Sequence, residues 1–278
     1  MQNINRRGFA GALAGAGFLA NTKILSAASD DSAGFKLGVA SYSLRKFPRT
    51  QAIAMVKQLN TPYISVKEFH LPISSTPEEI ARGRKEFEDA GLIVLSAGVI
   101  SFPKDDDADI RHKFEYAKMA GFPMITCMPT AKTLPKVEKM VKEYDIRMAL
   151  HNHGKSDKNF PTPQDALKAI DGMDPRCGLC IDVGHTAEAG ADVVESIRMA
   201  GARLFDVHIK DESDLSNADA QVPVGEGRMP IPAIFRELKK ANYRGGVMLE
   251  YEIDENNPMP GMAKSFAYMR GVLAGMQA

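Results

Sequence analysis

The sequence predicts an α/β protein, a single-domain (β/α)8 TIM barrel, on three observations. Eight short runs of β-branched and other apolar residues follow one another from residue 35 onward. Segments with a helical pattern of apolar residues separate these runs, as expected for βαβ units and a parallel sheet. Eight such units in about 245 residues, with no Pro- or Ser-rich linker, favour one closed barrel over an open doubly wound sheet. The predicted strands are Lys36 to Ser41, Tyr63 to Phe69, Leu92 to Val99, Pro123 to Met128, Arg147 to Asn152, Gly178 to Val183, Leu204 to Ile209 and Gly246 to Tyr251.

The segments between these strands carry start and stop signals for helices. Thr76 is placed to cap a helix, Pro77 suits its first position, and Glu79 completes a capping box. Gly91 is placed to end the same helix. The segment 162–165 (TPQD) repeats the start signal and predicts a second helix of the same kind.

The first 28 residues are predicted to be an export signal that precedes the barrel. Arg6 and Arg7 stand before a weakly apolar run rich in Ala and Gly, and the segment 26–28 (SAA) suits cleavage. This pattern resembles a twin-arginine signal, which predicts a mature domain of residues 29–278 in the periplasm. A disordered or helical N-terminal extension is the alternative. No segment reaches the roughly 20 apolar residues of a transmembrane helix, so no integral membrane segment is expected in the mature chain.

The charge balance argues against a nucleic-acid partner. The whole chain has 35 Lys and Arg against 35 Asp and Glu. Without residues 1–28, which hold three bases and no acid, 32 bases face 35 acids and the net charge is −3. Such a chain is poorly suited to holding phosphate backbones. A small-molecule partner is expected instead, and a homo-oligomer is left open.

Most histidines occupy one kind of position, at or just after the carboxyl end of a predicted strand. In a barrel these positions converge on the catalytic face. The carboxylates Glu68, Asp182 and Glu250 also end apolar runs, where burial without a partner would be costly. One metal ion would satisfy the whole group, and mixed imidazole and carboxylate ligands suit Mn²⁺, Zn²⁺, Fe²⁺ or Co²⁺ better than Ca²⁺. Five of the six histidines follow the rule: His70, His151, His153, His185 and His208.

Four segments resemble the xylose isomerase-like TIM-barrel superfamily of sugar isomerases and epimerases. They are ALHNHG (149–154), CIDVGH (180–185), DVHIKD (206–211) and the stretch 222–252, which begins VPVGEG and ends VMLEYE. The resemblance covers roughly residues 35 to 275. It implies one divalent ion held by four residues, which by motif are His151, Asp182, His208 and Glu250.

The resemblance also shows a departure, because the family carries a glutamate where this sequence has His151. An imidazole on the metal cannot act as the missing carboxylate base, so a symmetrical exchange of a proton between two glutamates is not expected. Glu250, His153, His185 and Glu68 are the candidate acids and bases.

Other polar residues are predicted to contact substrate or to shape the pocket. Lys210, His70 and Glu226 are the candidate substrate contacts. Glu226 lies in a Gly-rich loop without phosphate-binding spacing, which is predicted to shape the pocket. The segment 211–214 (DESD) is predicted to be a solvated turn near it.

These residues predict a metal-dependent isomerase or epimerase of sugars, keto-sugars or related polyols. A divalent ion on a carbonyl oxygen would stabilise an enediolate while a base removes the neighbouring C–H proton. A lyase that eliminates a β-substituent from 3-keto-glycosides through the same site is the close alternative. Two alternatives of other classes are a non-catalytic sugar-binding barrel and a three-zinc phosphodiesterase of the DNA-repair branch.

Overall fold

The computed structural model of this protein describes residues 34–217 and 219–277. Eight parallel strands close into one barrel, so the predicted (β/α)8 fold is confirmed. The predicted signal peptide lies outside the described residues, and export stays a prediction. The strands are β1 Lys36–Ala40, β2 Tyr63–Val66, β3 Ile93–Phe102, β4 Met124–Pro129, β5 Arg147–His151, β6 Cys177–Asp182, β7 Leu204–Ile209, β8 Asp211–Glu212, β9 Gln221–Val222 and β10 Gly246–Leu249.

The order of the strands around the barrel decides which side chains can meet. The order is β1, β10, β7, β6, β5, β4, β3, β2, closing back on β1, while β8 and β9 form a small antiparallel pair. Strands β10, β7, β6 and β5 are therefore consecutive neighbours. Because all eight barrel strands are parallel, their carboxyl ends emerge at one end of the barrel.

Two of the helices that connect these strands begin where the sequence predicts, at Pro77 and at Pro163. The Thr76 hydroxyl accepts a hydrogen bond from the Glu79 amide, and the Glu79 carboxylate accepts one from the Thr76 amide. No helix in residues 34–217 and 219–277 is long and apolar enough to cross a membrane. The helices are α1 Arg49–Gln58, α2 Pro77–Asp89, α3 Asp107–Ala120, α4 Leu134–Tyr144, α5 Pro163–Ala169, α6 Val183–Glu188, α7 Val193–Ala200, α8 Ile231–Lys240 and α9 Met259–Gly275.

The barrel strands are mostly apolar because both of their faces are covered. All six residues of β6 are buried, as are all four of β10. Parallel strands that face a filled barrel on one side and helices on the other have this composition. Polar side chains inside such strands therefore need partners within the barrel.

The second strand is shorter than predicted. It ends at Val66 instead of Phe69, and the chain turns at once, with the His70 amide donating to the Lys67 carbonyl at 2.9 Å. The Lys67 amide bonds to the hydroxyl of Ser41 (2.8 Å) and not to a neighbouring strand. This early turn decides which side chains of the segment reach the pocket described below.

Candidate metal and active site

Four polar side chains meet inside the barrel because of the register of its strands. Asp182 on β6 pairs with His208 on β7, and His151 on β5 pairs with Cys180 on β6. Cys180 and Asp182 are two residues apart and therefore share a face of the sheet. The ladder continues beyond β10, where the Glu250 amide donates to a carbonyl of β7 at 3.1 Å. These contacts bring the four predicted ligands together.

His151, Asp182, His208 and Glu250 form what we call the four-residue cluster. One ligand atom from each lies within 4.8 Å of the other three. All four residues are buried, with at most 8% of their surface exposed. Within the described residues, a second group that meets the same distance limit replaces Asp182 and Glu250 by Cys180. Burial raises the pKa of the Cys180 thiol to about 12, which favours the nitrogen and oxygen set as ligands.

Several atoms of the cluster fit a metal ion because they make no hydrogen bond within the described residues. Both ring nitrogens of His151 and Nε2 of His208 are buried and have no hydrogen-bond partner there, and Oδ2 of Asp182 has an ion pair with Lys210 but no hydrogen bond. Each such group costs about 1–3 kcal/mol if it stays unpaired. Imidazole nitrogens and carboxylate oxygens together suit Mn²⁺, Fe²⁺, Co²⁺ and Zn²⁺. The donor set is therefore suitable for one divalent ion.

Asp182 is fixed by its neighbours so that one of its oxygens faces the other residues of the cluster. Its amide donates to the Asn152 side-chain oxygen (3.1 Å), and Oδ1 accepts the amide of His185 (2.9 Å). Oδ2 lies 3.6 Å from Nε2 of His151 and 3.0 Å from Nζ of Lys210. Asn152, which lies between His151 and His153, thus connects the end of β5 to the end of β6.

Lys210 balances part of the negative charge at this end of the barrel. Its Nζ lies 3.0 Å from Asp182, 3.1 Å from Glu250 and 2.6 Å from Glu252. Burial lowers the pKa of Lys210, but the three carboxylates outweigh burial and hold it well above its ordinary value. Burial likewise opposes ionisation of Glu250, yet His208 and Lys210 hold the pKa of that carboxyl below its ordinary value. Lys210 and Glu250 are therefore charged at neutral pH.

His151 has the protonation state that a metal ligand needs. Burial lowers its pKa to about 4, so the ring is neutral at pH 7 and has a lone pair to offer. Nδ1 of His208 lies 3.1 Å from Oε2 of Glu250, which orients the His208 ring within the cluster. Ligand imidazoles are commonly oriented through their second nitrogen in this way.

His153 and His185 form a histidine pair beside the cluster. Their ring centroids are 4.2 Å apart and lie 5.9 Å and 6.1 Å from that of His151. Burial and the neighbouring His185 lower the pKa of His153. Gly154 follows with a φ of +69°, and a side chain there would collide with Glu188, which lies 3.5 Å from Nδ1 of His185. The glycine of the HNHG motif therefore allows the pair to form.

A pocket of about 200 Å³ opens onto the cluster. The strand order divides its wall into two halves. His151, His153, His185, Glu250 and Glu252 come from β5, β6, β10 and the segments after them, and we call this wall the ligand half. The other half is built by β1 to β4 and the segments after them, and it includes Tyr42, Lys67, Ser101 and Met128.

Three residues predicted at the site neither join the cluster nor line this pocket. Lys210, predicted to contact substrate, pairs with carboxylates of the cluster but does not line the pocket either. His70 is buried, and its ring nitrogens lie 3.0 Å from a serine hydroxyl and 3.2 Å from a backbone carbonyl, so it is satisfied within the protein. Glu226 is half-exposed and pairs with Lys264 at 3.0 Å. Glu68 lies in the turn after β2 and pairs with its neighbour Lys67 at 3.4 Å. Lys67, and not Glu68, lines the pocket because β2 ends earlier than predicted.

Six pocket residues were missed by the sequence analysis: Val99, Ser101 and Met128 lie on β3 and β4, and the other three lie just beyond strand ends. Tyr42 lies in a short 3₁₀ turn after β1, Lys67 in the turn after β2, and Glu252 in the turn after β10. The signal that could have found them is their position one to three residues beyond a strand end. The pattern of apolar residues does not indicate which residues beyond a strand end point into the pocket.

The prediction that residues 211–214 form a solvated turn was wrong for the first two. Asp211 and Glu212 are each 1% exposed. The carboxylate of Asp211 accepts the amides of Gly225 (2.9 Å), Gly227 (3.1 Å) and Met229 (2.8 Å). Asp211 therefore anchors the Gly-rich loop, and its partners lie too far along the chain for local patterns to predict.

Replacing Asp211 with Asn is expected to lower the free energy of unfolding by about 1–3 kcal/mol, because an amide nitrogen would face backbone donors. Urea denaturation measures this change. The control is Asp214→Asn, an exposed change on the same segment that should cost no more than about 0.5 kcal/mol. Equal effects of the two changes would contradict the anchoring role.

A larger cavity, of about 750 Å³, lies at the opposite end of the barrel, where the strands begin. None of the predicted site residues lines it. Active sites of TIM barrels lie at the carboxyl ends of the strands, so we assign the chemistry to the smaller pocket.

The fold and the four-residue cluster define a TIM barrel with a candidate divalent-metal centre at the carboxyl ends of its strands. Within that class, the chain belongs to the family described as Xylose isomerase-like TIM barrel, which matches residues 53–272. The matched range contains the whole cluster. The family predicted from the sequence is thus confirmed.

Sequence relatives match about half of the chain. The rhizopine catabolism protein MocC of Rhizobium meliloti is 31% identical over 145 residues, which are 46% of this chain and 44% of that protein. Inosose dehydratase of Mesomycoplasma hyopneumoniae (strain 7448) is 26% identical over 163 residues, which are 52% of this chain and 54% of that enzyme. The chain therefore spans about half the length of the curated relatives it matches.

Solved structures share the fold over nearly their whole length. A zinc-bound IolI protein superposes with a TM-score of 0.73 at 16% identity, covering 87% of this chain and 99% of that one. A D-psicose 3-epimerase superposes with a TM-score of 0.65 at 17% identity, covering 87% and 98%. At these identities the likeness shows the fold alone.

Proposed function

We propose that this protein is a divalent-metal-dependent enzyme that removes a proton from the carbon beside a carbonyl of a sugar, keto-sugar or polyol derivative. The observation that carries the proposal is the four-residue cluster. Three of its imidazole nitrogens have no hydrogen-bond partner among the described residues, and two of its members, His151 and Glu250, line a pocket of about 200 Å³. The names of relatives support the substrate class, since they include an inosose dehydratase and a D-psicose 3-epimerase. The zinc of the IolI structure supports the ion. On the twin-arginine pattern, we propose the periplasm as its compartment.

The cluster residues have separate roles in this proposal. A divalent ion held by His151, Asp182, His208 and Glu250 would supply a Lewis acid for the carbonyl oxygen and its developing charge. Oε2 of Glu250 is held by His208 and Lys210, each at 3.1 Å, whereas no described residue donates a hydrogen bond to Oε1. We assign Oε1 as the atom that takes the C–H proton. Lys210 keeps this carboxylate ionised and in place.

Two reaction classes follow from that step. In an isomerase or epimerase the proton returns to the sugar, whereas in a lyase a β-substituent leaves. The ligand set favours the lyase. His151 occupies the position where the family carries a glutamate, and an imidazole bound to metal cannot act as the second carboxylate base of a two-carboxylate epimerase. The pair His153 and His185 is placed to protonate a leaving oxygen, in the role of a general acid.

Proton NMR in D₂O separates these classes. The metal-loaded protein is incubated with keto-sugars and with 3-keto-glycosides, and the products are followed by loss of C–H signals. Elimination releases the β-substituent and leaves an unsaturated sugar, which is the result we expect. Deuterium in an intact, rearranged sugar would identify an isomerase or epimerase. Binding of sugars without any exchange would contradict the enzyme and favour a non-catalytic binding barrel.

A further inference from the structure

Two aromatic rings lie side by side at the carboxyl end of the barrel, one in the pocket wall and one next to it. Tyr42 lines the pocket itself, and Phe69 lies next to it with ring centroids 5.9 Å apart at an angle of 53°. Phe69 is 51% exposed, the highest value among the exposed large apolar side chains of the described residues. We call Tyr42 and Phe69 the aromatic platform.

The inner ring of the platform is held in place by its neighbours. The guanidinium of Arg45 lies 4.6 Å from the centroid of the Tyr42 ring. Arg45 is itself fixed by hydrogen bonds to the carbonyl of Glu252 (2.9 Å) and the carboxylate of Glu255 (3.1 Å). A ring fixed before the ligand arrives loses little conformational entropy on binding. The outer ring, Phe69, gains most from a ligand because about half of its surface meets water.

The size of the pocket indicates which part of a ligand would reach the platform. A volume of about 200 Å³ lies below the roughly 300–1,000 Å³ of pockets that enclose drug-sized ligands. It suits a single sugar ring, and any larger substituent on that ring must extend through the mouth. Tyr42 belongs to both the pocket wall and the platform, so a substituent that leaves past Tyr42 next meets Phe69.

We propose that the aromatic platform binds an aromatic aglycone attached to the sugar held in the pocket. This inference rests on the proposed function, since it uses the same pocket for the sugar. The chemistry of the surface argues for an aromatic group over a second sugar. The outer part is a phenylalanine ring, which stacks with another ring but offers no hydrogen bond to sugar hydroxyls. The occupant is thus the aglycone of an aryl glycoside.

Titration calorimetry of the full chain loaded with metal tests this inference without turnover. The probes are phenyl β-D-glucopyranoside and methyl β-D-glucopyranoside, which carry no ketone and so no acidified C–H bond. We expect the phenyl glycoside to bind about three- to tenfold more tightly, as one aromatic contact allows. Phe69→Ala is expected to remove that preference while leaving the affinity for the methyl glycoside unchanged. Phe69→Tyr is expected to retain it.

Met199→Ala is the matched control, because Met199 is also half-exposed (50%) but lies on α7. It should leave both affinities unchanged. The inference is overturned if wild type binds neither glycoside or shows no preference, if Phe69→Ala keeps the preference, or if it weakens both glycosides equally. If the protein prefers the phenyl glycoside through Phe69 but never exchanges a sugar proton, the aromatic platform is supported and the proposed function is contradicted. If it exchanges a proton but shows no such preference, the proposed function is supported and the aromatic platform is contradicted.

Discussion

Replacing Glu250 with Gln is expected to slow proton removal by about 10²- to 10⁴-fold, the contribution typical of a positioned general base. Gln has nearly the same shape and keeps an oxygen that can bind metal, but its amide cannot accept a proton from carbon. Its nitrogen also cannot accept the hydrogen bonds that Oε2 receives from His208 and Lys210. The rate at which the C–H signal of a 3-keto-glycoside is lost in D₂O, followed by NMR, measures the effect.

The matched control for this change is Glu226→Gln. Glu226 carries the same side chain but pairs with Lys264 outside the pocket, so its replacement should leave the rate within about twofold, as for surface changes generally. Metal content is measured for both variants, so that loss of the base is distinguished from loss of the ion. A Glu250→Gln variant that keeps both its ion and its exchange rate would rule out Glu250 as the base. A reduced rate in Glu226→Gln would show that Glu226 contributes to the reaction, as predicted from the sequence.

Replacing His208 with Ala is expected to weaken binding of a divalent ion by at least about 100-fold, since removal of groups that only orient ligands already costs 10- to 100-fold. Nε2 of His208 is one of the buried atoms with no hydrogen-bond partner among the described residues. Removing it takes one of the four donors from the cluster. Calorimetric titration with Zn²⁺, Mn²⁺ and Co²⁺ measures the affinity.

Thermal unfolding gives a second readout of the same site. An ion present at 100 times its dissociation constant stabilises the native state by about 2.7 kcal/mol, so metal should raise the Tm of wild type and not that of His208→Ala. His112→Ala, an exposed change on α3, is the control and should bind metal like wild type. His208→Gln serves as a second variant that can still bond to Glu250 if the alanine variant folds poorly. Equal affinity in wild type and both His208 variants would contradict the cluster.

The parts of the site that the sequence predicts are those set by strand periodicity. His151 and Asp182 end β5 and β6, where the two-residue repeat of a strand places side chains on known faces, and His153 and Glu250 follow within two residues of a strand end. Closure of the barrel then brings separate strand ends together. The four predicted ligands converge for this reason, although their spacing along the chain does not predict the distances between their ligand atoms.

The parts that the sequence does not predict depend on contacts between distant segments. Lys67 reaches the pocket in place of Glu68 because its amide bonds to Ser41 and ends β2 early. Asp211 is buried because amides 14 to 18 residues further along the chain bond to it. Asp206 has no predicted role beyond its place in a strand. Its carboxylate is buried inside the barrel and accepts a hydrogen bond from the hydroxyl of Thr126 (3.2 Å). Burial raises the pKa of Asp206 to about 6.

The central claim is that one divalent ion in the four-residue cluster enables proton removal beside a carbonyl. The most direct test is to titrate metal into the stripped wild-type protein while following proton removal from a 3-keto-glycoside in D₂O, measured by NMR as loss of the C–H signal through either exchange or elimination. The account predicts no proton removal without metal and a rate that rises linearly to a plateau at one ion per chain. Proton removal at full rate in the stripped protein would contradict the account, as would a plateau at three ions per chain or no proton removal at any loading.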